Sequence, residues 1–116
     1  MAKVHSSRIR ELLQERRGLF AEISTLEGVI HGSIFERFST CSRPQCSCHE
    51  GNRHGPRVYL SVNGHGRQRQ HYVPKSQVQA AEEGVLQYRR LREIIDRITH
   101  INLELIRGKA FTEPNC

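Results

Sequence analysis

Three of the chain's four cysteines and two of its seven histidines fall in one stretch, "STCSRPQCSCHEGNRHGPRVYL". The spacing is C-x4-C-x-C-x5-H, formed by Cys41, Cys46, Cys48 and His54, with His49 as a spare imidazole. Thiolates and imidazole together meet the four-ligand, tetrahedral preference of a structural zinc ion. Pro44 and Gly51 let a short loop double back so that ligands converge, and Gly55-Pro56 releases the chain into a strand. The loop has almost no apolar residue, so a bound ion would supply the cohesion that a core cannot. His54 is preferred to His49 because His49 directly follows Cys48, and its ring is hard to turn inward beside that thiol.

Other readings stay open. The thiols could be ordinary reduced cysteines in a loop. They could form a thiol relay, although the C-x-C pair lacks the βαβ setting that supports one. Copper or an iron–sulfur centre would use the same ligands. Cys116 reads as incidental, and His5, His31 and His100 as surface or helix-flank residues.

At 116 residues, with no Trp, three Tyr and four Phe, the chain has little material for a large core. A long aliphatic seam, a metal, self-association or a combination of these must stabilise it. The polar start "MAKVHSSRIREL" lacks a signal peptide's apolar run, and no uncharged apolar stretch approaches the roughly 20 residues a membrane helix needs. A cytoplasmic, reducing compartment is therefore expected, where clustered cysteines read as metal or thiol chemistry before disulfides.

The net charge of +6 is concentrated. Residues 31–75 hold seven Lys/Arg against two acids, and five histidines, whereas 1–30 hold five against four and 76–116 six against six. A compact basic patch favours polyanions.

The elements that must carry this middle segment are helical. From Ser7 to Ile30, Ile9, Arg16, Ile23 and Ile30 repeat every seven residues, as do Leu12, Leu19 and Leu26. The period returns after Ser76, with Ala81, Tyr88, Ile95 and Asn102 in one position and Leu91, Ile98 and Leu105 in another. Such stripes are coiled-coil-like, and Arg16 and Asn102 are polar interruptions that could fix register. Ser6 or Ser7 is the expected N-cap of the first helix, and Gly32-Ser33 its end. Pro74 with Ser76 starts the second, Gly108 stops it, and Glu93 with Arg97 makes an i, i+4 pair.

Between the helices, "SIFERFST", "PRVYLSV" and "RQRQHYVP" read as three short strands, the last two joined by Asn63-Gly64. The expected fold is α+β: two long helices in an antiparallel coiled-coil-like hairpin, with a small three-stranded antiparallel sheet and the Cys/His loop at its tip. The chain reads as a single domain, 1–116, with helices over 7–31 and 76–107, the sheet and loop over 33–75, and a tail over 108–116. Pairing of two hairpins into a homodimer would bury more of the stripes.

Arg37, Arg57, Arg67, Arg69 and Lys75, with Tyr59, Tyr72 and His71, lie on or beside these strands. Arg67, Arg69 and His71 share one face by the period of two. Sheets can enter a major groove and touch bases and phosphates with such side chains. The bland alternative is a solvated edge defended by charge.

Two resemblances bear on this. The stretch from "GSIFERFSTCSRPQC" through "HGP", "YVP" and "INLEL", about Gly32 to Arg107, resembles an uncharacterised family of small bacterial and archaeal proteins often found among mobile-element genes. That resemblance implies a shared fold and no established activity. Gly32-Ser33-Ile34, Arg37, Tyr59, Asn63-Gly64, Arg67 and Arg69 also resemble the three-stranded arm-binding domain of phage-type integrases, which implies DNA contact by the sheet. The chain departs from that domain by inserting Cys41–Gly55 between the first two strands, by lacking the aromatic that usually opens the second, and by its long flanking helices.

No carboxylate is placed to partner a Cys or His as nucleophile and base, and no Gly-rich loop opens a helix, so an enzyme is not expected. The expected protein is a small zinc-stabilised nucleic-acid binder, for DNA before RNA, serving a mobile element or gene regulation. The alternative is a protein-interaction adaptor that docks through its helical stripe.

Overall fold

A computed structural model describes residues 2–64 and 66–111. Helix α1 spans Ala2–Ile23, strands β1, β2 and β3 span Gly32–Ser39, His54–Gly64 and Arg67–Val73, and helix α2 spans Val78–Arg107. These form two compact units, one of residues 2–27 with 89–111 and one of residues 28–88.

In the first unit, α1 and the later turns of α2 run in opposite directions, joined by a regular ladder of ion pairs. Arg8 meets Glu104 at 3.3 Å, Glu15 meets Arg97 at 2.7 Å and Glu22 meets Arg90 at 2.7 Å. Each step of seven along α1 thus corresponds to a step of seven back along α2. Leu12, Ile101 and Leu105 form the buried cluster, with Ile9, Leu13, Leu19 and Ala110 packed on it, and Ile94 and Ile98 are also buried.

Two expectations shift here. Ile98 and Leu105 lie in the seam as the repeat predicts, but their companions are Ile94 and Ile101, while Ile95 is 46% exposed. Both choices obey three-four spacing; the observed one buries two isoleucines instead of Ile95 and Asn102. Arg97 reaches across to Glu15 rather than along the helix to Glu93, which pairs with Arg90 instead.

The first helix also begins earlier and ends earlier than predicted. Ser6 and Ser7 lie inside α1, so neither is its N-cap. At the other end, Ser24 Oγ donates to the Ala21 carbonyl at 2.6 Å and Thr25 Oγ1 to the Glu22 carbonyl at 2.7 Å. These hydroxyls offer the carbonyls a local partner and close the helix at Ile23, before Leu26 and Ile30 can continue the stripe. Helix α2 ends after Arg107, as Gly108 signals, with Lys109 at φ 57°. The Ala110 N–H returns to the Leu105 carbonyl at 2.7 Å and the Lys109 N–H to Ile106, the pattern of a Schellman cap.

In the second unit, the strands form an antiparallel sheet in the order β1-β2-β3. Phe35 faces Tyr59, Arg37 faces Arg57, Tyr59 faces Tyr72 and Val62 faces Arg69. A 3₁₀ turn, Lys75–Gln77, leads into α2. The segment before β1 docks on the first turns of that helix: Ile30 N–H donates to the Gly84 carbonyl at 2.9 Å, and the His31 ring stacks on Tyr88 at 4.1 Å. Gly84 is needed there, since a Cβ would run into the Gly28 carbonyl and the Ile30 side chain.

Candidate metal centre and basic sheet

The Cys loop leaves β1 at Ser39 and returns into β2 at His54, two residues that are themselves paired across the sheet. Cys41 and His54 are thus brought near each other by strand pairing before the loop contributes anything. Within the loop, Cys46 N–H bonds to the Arg43 carbonyl and His49 N–H to the Cys46 carbonyl, both at 3.2 Å. A 3₁₀ turn, Ser47–Glu50, follows, and Gly51 ends it in the left-handed region. Gly55, at φ 130°, closes the loop where β1 and β2 fall out of register, and a Cβ there would lie 2.8 Å from the Arg37 carbonyl oxygen.

The ligand atoms of Cys41, Cys46, Cys48 and His54 all lie within 4.8 Å of one another. Cys41 Sγ and Cys48 Sγ are 3.7 Å apart, and Cys46 Sγ is 3.3 Å from His54 Nε2. Tetrahedral zinc bonds of about 2.3 Å to sulfur and 2.0 Å to nitrogen put two sulfurs about 3.8 Å apart and a sulfur–nitrogen pair about 3.5 Å apart. These two pairs lie close to those spacings, and the four residues could hold one ion. Cys48 is 2% exposed and lies outside the buried cluster of Leu12, Ile101 and Leu105.

The loop already favours charge on sulfur at one position. The Cys46 thiol is pulled down to about 7, first by the backbone N–H of Cys48, then by the Cys48 and Cys41 thiols and by His54. Burial pushes the Cys48 thiol up, with the neighbouring sulfurs of Cys46 and Cys41 adding to it. The Cys41 N–H points at Cys48 Sγ at 3.3 Å. His49 is not part of the cluster: its Nε2 donates to the Arg43 carbonyl at 2.8 Å, fastening the loop from outside.

The basic residues do not form the single group that the sequence suggests. Side chains paired directly across antiparallel strands share a face. Arg37, Arg57 and Tyr59 lie on one face together with Phe35, Gln70 and Tyr72, whereas Arg67, Arg69 and His71 lie on the other with Ile34, Val58, Leu60 and the buried Val73. Lys75 sits in the 3₁₀ turn after β3. Contacts agree with this division. Phe35 stacks on Tyr59 at 5.7 Å, Tyr59 meets Tyr72 edge-on at 5.8 Å, the Arg37 guanidinium lies 5.1 Å from the Tyr59 centroid, and Arg37 donates to Gln70 Oε1 at 2.9 Å.

Sequence reasoning placed Tyr72 with Tyr59 on the sheet but missed Phe35 as a member of this row. The period-two placement of Phe35 was legible, but the register joining it to Tyr59 across a 14-residue interruption, Thr40 to Arg53, was not. A cavity of about 310 Å³ beside Tyr72 is lined by the metal-ligand candidate His54 and by Arg57 and Lys75.

Three cysteines and a histidine converge in a loop between two strands of a three-stranded sheet, as a Cys₃His cluster that could hold a metal ion. By sequence the chain belongs to a family known as a domain of unknown function, DUF6788, whose model matches residues 9–83. That match takes in most of α1, the whole loop and the sheet, and ends in the second turn of α2. No curated protein and no solved structure matches the chain. Among the described residues, no helix is long and apolar enough to cross a membrane.

Proposed function

We propose that this chain is a small zinc protein that binds nucleic acid, DNA before RNA, through its three-stranded sheet, and that it acts without catalysis. The observation that carries this reading is Arg37 directly opposite Arg57 on a face whose other strand residues are aromatic or uncharged. Like charges placed opposite each other cost a sheet stability. A polyanion on that face turns the cost into binding energy.

Zinc is the ion proposed for the loop, because the spacings suit it and because four protein ligands close its shell. A closed shell leaves no position for chemistry and makes the ion a structural clamp for the ends of β1 and β2. The helices serve as an antiparallel coiled-coil hairpin, a reading supported by the seven-step ladder of ion pairs. Exposed Ile95, Leu103 and Ile106 on α2 supply apolar surface for a homodimer. The same three residues favour the second reading, an adaptor that docks a partner protein by its helix. The resemblance to integrase arm-binding domains supports DNA as the ligand and a mobile-element or regulatory role.

Salt separates the two readings, since phosphate binding weakens steeply with ionic strength and apolar helix docking does not. The test is binding of single-stranded and duplex DNA and RNA across a salt series, for the native chain and for Arg37→Ala/Arg57→Ala and Arg67→Ala/Arg69→Ala. Affinity for every nucleic acid unchanged by both double substitutions would reject the proposal.

A further inference from the structure

Resting on the nucleic-acid reading, we infer that the face bearing Phe35, Tyr59 and Tyr72 takes an unpaired strand, with bases stacked on the aromatic row and phosphates held by Arg37, Arg57 and Lys75. The rings run across all three strands of the sheet, one from each, at centroid spacings of 5.7 and 5.8 Å. Tyr72 is 55% exposed, on the sheet's outer strand, so one ring is open to a planar ligand.

Aromatic rings on an open sheet are poor reagents for a duplex, which hides its base faces and offers edges and phosphates. They suit an unpaired strand, whose bases can lie flat on them, and a small sheet commonly takes two or three bases in this way. Stacking alone would fit any flat ligand. The cations select a polyanion: Arg57 and Lys75 line the cavity beside Tyr72, and Arg37 sits over Tyr59, where its guanidinium can turn from the ring to a phosphate. Gln70, held by Arg37, adds an amide on the same face.

The experiment measures fluorescence anisotropy of a labelled oligothymidylate, the matching oligouridylate, and the deoxy strand annealed to its complement, in low salt. The proteins are the full chain and its Tyr72→Ala and Tyr72→Phe variants, each checked for unchanged circular dichroism. Expected are tighter binding of the unpaired strands than of the duplex, about a ten-fold or greater loss in Tyr72→Ala, and near-native affinity in Tyr72→Phe, which keeps the ring. The oligouridylate arm tells a ribose-tolerant site from a deoxy-specific one, and either sugar preference supports the inference if the ring dependence holds. Duplex preference, or affinity indifferent to Tyr72→Ala, overturns the single-strand inference and leaves nucleic-acid binding standing. Failure to bind any of the three overturns both.

Discussion

Arg16 donates from Nη1 to Asn102 Oδ1 at 2.8 Å, joining the two polar residues that interrupt the apolar repeats of α1 and α2. Arg16 also reaches the Phe111 carbonyl at 3.3 Å. Both side chains are half-buried, so each would be left partly unsatisfied if the other were removed. Arg16→Leu or Asn102→Leu alone should therefore cost about 1–3 kcal/mol, whereas the double substitution should recover much of that loss. A double-mutant cycle by chemical denaturation checks this. Additive losses would show that the bond does not couple the helices.

The ion-pair ladder gives a pH dependence. The Arg97 guanidinium bonded to Glu15 holds that carboxyl below its ordinary value of 4.5, and Arg90 does the same for Glu22. A carboxyl depressed in the folded state contributes stability that is fully present above its unfolded value and is lost as pH falls through the folded one. The thermal midpoint of the native chain should therefore decline below about pH 4.5. Arg97→Gln should flatten part of that decline, and added salt should shrink the difference because these pairs are exposed. Carboxyl titration by NMR reads Glu15 and Glu22 directly.

Metal analysis tests the loop. The native chain should carry one zinc ion, Cys48→Ser should lose it, and His49→Gln should keep it, because His49 fastens the loop through the Arg43 carbonyl and not through the ion. Chelation should release the loop while leaving the helical circular dichroism of α1 and α2 largely intact, since their contacts with each other do not pass through the ion. Retention of zinc by Cys48→Ser at native stoichiometry would sink the assignment.

The clustering of Cys41, Cys46, Cys48 and His54 was legible because its information is local. Three cysteines and a histidine at short spacing, with a glycine and a proline to turn the loop, define a candidate metal site with little reference to the rest of the chain. The three strands were legible for a similar reason, as Val58, Leu60 and Val62 alternate with polar residues. What could not be read was which residues meet across elements. Ile94 and Ile95 satisfy the same repeat, and only the opposing helix decides between them. Arg37 and Arg67 look alike in the sequence; a register set by the loop's closure places them on opposite faces. The end of α1 escaped because two hydroxyl-to-carbonyl bonds, at Ser24 and Thr25, outweigh a repeat that runs on to Ile30.

Gly55 joins the metal loop to the sheet, and its conformation is testable. At φ 130° an L side chain is strained, and a Cβ would press on the Arg37 carbonyl oxygen at 2.8 Å and on the Phe38 ring at 3.2 Å. Gly55→Ala should destabilise the sheet unit by about 1–3 kcal/mol and weaken metal binding with it. Gly51→Ala shares the backbone strain but meets no neighbouring atom, so it should cost less. Equal losses at the two positions would mean that closure at Gly55 is unimportant to the site.

A binding surface and a merely solvated one differ in what happens when a charge is taken away. Arg57 faces Arg37 across the β1–β2 pair, and the nearest β1 acid, Glu36, belongs to the opposite face. Relieving the repulsion in Arg57→Gln should raise the unfolding free energy by about 0.2–1 kcal/mol in either case. If Arg57 serves only solubility, ligand affinity should stay nearly unchanged. If it waits for phosphate, the same change should lower nucleic-acid affinity and reduce the salt slope by about 0.7–0.9, the loss of one phosphate contact. Denaturation and salt-dependent anisotropy on one preparation measure both quantities. A more stable protein that binds more weakly is the expected outcome. A variant that is less stable, or one that binds as the native chain does, would show that the Arg37–Arg57 pair is not held in place for an anion.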